Sequence, residues 1–405
     1  MRRSSWVFGA TAALILVGAI FFKPNAKADE PRIPASDGEV LEHVLNRSSD
    51  PRARQREDLR RALAAHPEDL GTAIALAKVD IGLSRERSDP RFLGYAQAAL
   101  APWWDLPTPP VEVLVLRATI RQSMPDFDSA LVDLDRALTL APNDPQIWIT
   151  RAVVLTVRGR YDEAKQSCQP LRQLAPELVF TVCETSIDAV TGQAAPAYDR
   201  LASAIAHAAR LSDDEREWAV SNLGEIALRL GHDADAEKNF RAALAIDPED
   251  PYAIAALSDL LLDLNRPAEA ITLVAQKTDN DGLLLRLAIA EKKSRAAEAR
   301  AHADLLASRI DASKLRGDVV HRREQARFEL EIRGDSHAAL DLARANWDVQ
   351  KEEWDARIFL ESAVAAKNPN AAASVIAFVR EHHWEDPRIT SLADALAPVV
   401  DKGVH

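Results

Sequence analysis

The sequence predicts an all-α solenoid of stacked helical hairpins, and three observations carry that expectation. Small and apolar residues recur in the same order at a 34-residue interval. Hydrophobic residues make up 47% of the chain but aromatic ones only 5%, so alanine and leucine must fill the core. Only 14 glycines occur in 405 residues, too few for a glycine-rich α/β enzyme, and no run alternates apolar and polar residues as a half-buried strand does. As a globular fold this length implies two or three domains. A solenoid escapes that limit, because each unit touches only its neighbours.

The clearest unit spans 217–250 and carries Leu223, Gly224, Ala227, Gly231, Ala236, Phe240, Ala243 and Pro248. Gly224 and Ala236 are small where two helices must cross closely. Gly231 sits in the turn, where a residue without Cβ adopts a positive φ at least cost. Pro248 cannot continue the second helix and so ends it. This segment resembles a tetratricopeptide repeat. The resemblance implies a right-handed α-solenoid whose first helices line a concave surface.

Taken in chain order, the elements follow from this pattern. Arg2 and Arg3 precede an uncharged apolar run over 6–22, then Pro24 and the small-x-small triplet Ala26-Lys27-Ala28. That is the layout of a signal peptide over 1–28, cleaved after Ala28; the alternative is a retained membrane anchor. Residues 39–110 read as atypical N-terminal hairpins, ending in a connector with Trp103, Trp104 and four prolines between 102 and 110. Clear units occupy 111–144, 145–178, 217–250 and 251–280, with a degenerate unit between the second and third. Their marks include Phe127, Ala137 and Pro142, then Ala152, Gly159, Tyr161 and Ala164. Hairpin rhythm without the full motif continues over 281–390, and 391–405 reads as a tail.

The chain has 50 basic and 62 acidic residues, a net charge of −12, and loss of 1–28 makes it −16. Such a field repels phosphate backbones and argues against nucleic acid as a partner. Cys168 and Cys183 are the two cysteines. They fall on helices that neighbour each other in the stack, so a disulfide is open to them in an oxidising compartment. Two buried thiols acting as small hydrophobes fit the spacing equally well.

Phosphate-binding loops, a nucleophile elbow and zinc-protease motifs are all missing from the sequence. Neither catalytic residues, a metal site nor a cofactor is expected. The adjacent pair His382-His383 reads as a polar helix end, with metal binding the alternative, and His232 reads as part of a solvated turn. By the resemblance, the concave positions are Ile149, Val153 and Val157 in one unit, Trp218, Glu225, Leu228 and Arg229 in the next clear one, and Tyr252, Asp259 and Asp263 in the third. This mixed apolar, aromatic and acidic lining suits an extended or helical peptide with some basic character. Trp218 and Tyr252 fit equally well as packing against the preceding unit. Cochaperone members of the family hold a carboxylate with Lys, Asn and Arg, and here Asn222 is the single match, so that clamp is absent.

The expected function is that of a non-catalytic, exported scaffold that holds a protein or peptide partner in a bacterial periplasm. Contact with a membrane is expected only if 1–28 is retained. The alternatives are the substrate-holding arm of an envelope enzyme and a membrane-tethered structural scaffold.

Overall fold

The computed structural model describes residues 51–208, 210–315 and 321–400. The expected signal segment with Ala26 and Ala28, residues 39–50 and residues 401–405 lie outside the described residues. Among the described residues all regular structure is helical, and no helix is long and apolar enough to cross a membrane.

Helix α1 (Pro51–Ala65) leads into α2 (Leu70–Arg87), which pairs with α3 (Arg91–Ala99). The proline-rich connector contains one short turn of helix, α4 (Ala101–Trp104), whose tryptophans are half-buried against the α2, α3 and α5 core. The clear units follow as α5 (Val111–Ser123) with α6 (Phe127–Leu140), and α7 (Pro145–Val157) with α8 (Tyr161–Cys168) and the four-residue α9 (Leu171–Leu174). The degenerate unit is α10 (Glu177–Asp188) with α11 (Ala194–His207). Next come α12 (Asp213–Arg229) with α13 (Asp233–Ile246), and α14 (Pro251–Asp263) with α15 (Pro267–Val274). The fading repeats are α16 (Asp281–Ser294) with α17 (Ala299–Leu315), and α18 (Arg322–Phe328), extended by a π-helical turn at Glu329–Arg333, with α19 (Ser336–Trp347). Last stand α20 (Glu353–Ala365) with α21 (Ala373–Glu381), and α22 (Pro387–Val400), so residues 391–400 are helical rather than a tail.

Local chemistry explains the helix starts. Asp144 and Asp250 accept backbone N–H bonds at the first turns of α7 and α14, and Pro145 and Pro251 follow at the first helical position. A side-chain cap followed by proline is a strong start signal, because proline lacks only a donor the helix leaves unused there. At α12, Ser212 and Glu215 form a reciprocal capping box.

Packing follows the small-against-large pattern. Phe240 is fully buried, and a Cβ on Gly224 would meet its ring at 2.8 Å. The glycine is therefore what lets α12 and α13 cross closely. First helices face inward and second helices outward, and the stack winds as a right-handed solenoid.

The winding is tight enough for successive turns to touch. The Asn280 amide donates to the Glu86 carbonyl at 3.0 Å, Arg158 to the Val349 carbonyl at 2.7 Å, and the Ala194 N–H to Glu385 at 2.7 Å. These bonds join residues 191 to 194 apart, about 5.6 repeats of 34 residues. One superhelical turn is thus under six units, and the concave surface is closed over by the chain's own C-terminal third.

Candidate functional site

All ten concave residues expected from the sequence line one cavity of about 840 Å³. Ile149, Val153 and Val157 come from α7, Trp218, Glu225, Leu228 and Arg229 from α12, and Tyr252, Asp259 and Asp263 from α14. The opposite wall is supplied by α18, α20 and the start of α22, including Arg323, Arg327, Glu353, Trp354, Arg357 and Arg388. The expected open groove is therefore a channel with two walls. Exposed residues at its edge, among them Arg52, Glu86 and Glu249, place a mouth at the N-terminal end of the stack and the α13–α14 junction.

Charged pairs bridge the walls. Arg229 on α12 pairs with Glu353 on α20, and Arg357 on α20 makes a bidentate pair with Asp263 on α14, both bonds 2.7 Å. Between α14, α16 and α18, the buried Asp259 carboxylate receives Arg286 and Arg327 at 2.6 Å each. Burial alone would raise the Asp259 pKa, but those two guanidiniums hold it below the ordinary value. Burial acts the same way on Glu353, and Arg229 outweighs it. Trp354 lies between two cations, with the Arg327 and Arg357 guanidinium carbons each 4.5 Å from its ring centroid.

The α12–α14 wall is less compensated. Burial pushes the Glu225 carboxyl up against the pull of Arg229, and pushes the Tyr252 hydroxyl up beside Glu225. Glu217 bonds to Ser221 at 2.7 Å, and burial followed by Asp250, Asp247 and Asp214 raises it to about 7. This wall is short of positive charge. A partner carrying a basic side chain matches it better than an acidic one.

Several expected residues turn out to serve packing. Trp218 is 5% exposed and belongs to the main apolar core. Tyr252 remains half-buried at the channel surface. Asn222, the one match to the carboxylate clamp, donates to the Trp218 carbonyl and accepts from Ser186, so it is engaged internally. His382 caps α21 and packs its ring 4.8 Å from Tyr161 and 4.3 Å from Phe378. Cys168 and Cys183 form a disulfide between α8 and α10, with Cα atoms 5.8 Å apart, and Cys183 borders the channel.

The second wall was missed because the repeat motif fades before it begins, leaving no positions to assign as concave. One signal did exist: Trp354 stands 34 residues after Val320, in register with the preceding unit.

A tetratricopeptide repeat model matches residues 219–250. No curated protein matches the sequence. Among solved structures, PilW, a widely conserved type IV pilus biogenesis factor, is 17% identical with a TM-score of 0.40, over 50% of this chain and 94% of PilW. A tetratricopeptide repeat protein from Parabacteroides merdae is 12% identical with a TM-score of 0.36, over 76% and 99%. Yeast Tom70 is 13% identical with a TM-score of 0.40, over 87% and 88%. Such distant likeness says nothing about what this chain binds. The matched repeat coincides with the clearest unit of the sequence and stands among helical hairpins of similar length.

Proposed function

We propose that this protein is a non-catalytic scaffold that holds an extended segment of a protein partner in its internal channel. The observation that carries this reading is the convergence of ten concave positions, from three repeats, on one channel wall. A volume of about 840 Å³ is that of a small-molecule or short-peptide pocket. The bridging pairs Arg229–Glu353 and Arg357–Asp263 favour an extended chain over a helix. A helix with its side chains is about 10–12 Å across, too wide for walls held within side-chain reach. The half-buried acidic groups of α12, Glu217 and Glu225, favour a segment with basic character. The segment is held by a surface already formed, so the ordering cost falls on the partner.

We place this activity in the periplasm of a bacterial cell envelope. The disulfide needs an oxidising compartment, and the 1–28 segment has the layout of an export signal. Sequencing the mature N-terminus tests the location: Asp29 means release, Met1 means retention as an anchor.

Val153 is half-buried, lines the channel and stands outside the main core, so it suits a test of binding. The Val153→Arg variant is expected to keep its helical circular dichroism and lose affinity capture of the partner by at least tenfold. Undiminished capture by a folded Val153→Arg variant sinks the channel reading.

A further inference from the structure

We infer that α20–α22 form an intramolecular latch on the first superhelical turn, and that lifting it opens the channel between its walls for loading. The latch touches three successive repeat turns. Gly159, Gly192 and Gly231 each hold a φ between 68° and 72°, which closes the turn between two helices. Each also receives a latch residue where any side chain would collide: a Cβ would meet Phe378 at 2.7 Å, His383 at 2.9 Å and Pro387 at 3.0 Å. The same three glycines therefore serve the turns and the docking.

Around these contacts the latch and the loop leading into α20 bond to backbone groups at helix ends. The Lys351 N–H donates to the Val157 carbonyl at 2.7 Å, and Arg388 donates to the Leu228 carbonyl at 2.6 Å. From the other side Arg158 reaches Val349, and Glu385 accepts from Ala194. One aromatic cluster completes the seam, with Phe378 5.3 Å from Trp347, 5.6 Å from Trp384 and 6.1 Å from Tyr161.

This seam is thin in backbone approach, and its side chains continue the main apolar core. Contacts between elements of different turns are far sparser than those within a hairpin or between adjacent hairpins. A solenoid owes its stability to neighbouring units, so the seam between turns opens before any hairpin melts. Lifting α20 also breaks the two pairs that bridge the channel, Arg229–Glu353 and Arg357–Asp263, and takes away the wall except for α18. The latch stands whatever ligand the channel holds.

Thiol labelling tests it on the full chain. Both native cysteines are in the disulfide, so an introduced cysteine is the one free thiol. A Val153→Cys variant reports on the channel, and a Val132→Cys variant on α6 reports on the outer surface, where Val132 is 58% exposed. With a bulky maleimide, the Val153→Cys variant is expected to react at least tenfold more slowly than the Val132→Cys variant. Adding Arg158→Ala and Phe378→Ala should raise the Val153→Cys rate at least tenfold and leave the Val132→Cys rate unchanged. Equal rates in the otherwise intact chain, or no response to the added pair in a folded protein, overturn the latch. If the added pair prevents folding, urea titration of the single Val153→Cys variant decides. Labelling that rises at urea concentrations below the loss of helical signal supports sub-global opening, and labelling that rises only with unfolding overturns it.

Discussion

Gly224 shows how much one position in a close helix crossing can decide. A Cβ there meets the Phe240 ring at 2.8 Å, whereas one on Gly94 in α3 meets nothing within 4 Å. Gly224→Ala should therefore destabilise by about 1–3 kcal/mol through overpacking. Gly94→Ala should stabilise by about 0.5–1 kcal/mol, because alanine loses less backbone freedom in a helix. Urea midpoints of the two variants check both signs. The Gly224–Phe240 contact was legible in the sequence, since both residues hold fixed places in the repeat. The role of Trp218 was not: the same position suits a groove contact or a core anchor, and only its 5% exposure separates them. Glu217 was also illegible, since its environment depends on how the α13–α14 junction folds back. Burial, with Asp250, Asp247 and Asp214 nearby, raises its carboxyl from 4.5 to about 7. The folded chain thus keeps a proton that the unfolded chain releases. The resulting stabilisation is complete below pH 4.5 and is lost as pH rises through about 7. Glu217→Gln is expected to flatten that fall in urea midpoints between pH 4.5 and 7; an unaltered slope would contradict the assignment.

Among the clear units, α7–α8 is the one whose second helix is interrupted. Its second helix ends at Cys168 after eight residues, Pro170 lacks the donor needed to continue, and α9 adds one further turn of four residues. The disulfide from Cys168 to Cys183 ties this interrupted helix to α10 within the main core. Spacing alone placed the two cysteines on neighbouring helices and left their directions open. The structure closes that question: Cys168, the last residue of α8, faces α10 and is bonded to Cys183. Replacing both cysteines by alanine should cost about 3 kcal/mol in the chain-entropy account of a loop this short. Reductant should shift the urea midpoint of the native chain by a similar amount and leave the double variant unmoved. A native midpoint insensitive to reductant would show that packing alone holds the unit. The outer elements were legible only as hairpins, because their interior positions depart from the motif that assigns inward and outward faces.

At the scale of the whole molecule, the 34-residue spacing reports on neighbours and is silent on pitch. One channel wall was therefore readable from three clear repeats. The other depends on residues 191 to 194 positions apart meeting across successive turns, which no local pattern encodes. Closure turns an open groove into a two-walled channel and narrows the expected ligand from a helix or an extended peptide to the latter. It also joins the apolar residues of α5–α12 and α18–α22 into one cluster. The most direct measurement places a photoactivatable crosslinking residue at Val153 in the channel and, separately, at Val132 on the outer face of α6, then identifies adducts formed in cells by mass spectrometry. Binding in the channel means that Val153 captures one short contiguous stretch of a single protein partner, and that Val132 captures no such stretch. Partner adducts formed at Val132 and absent at Val153 would contradict it.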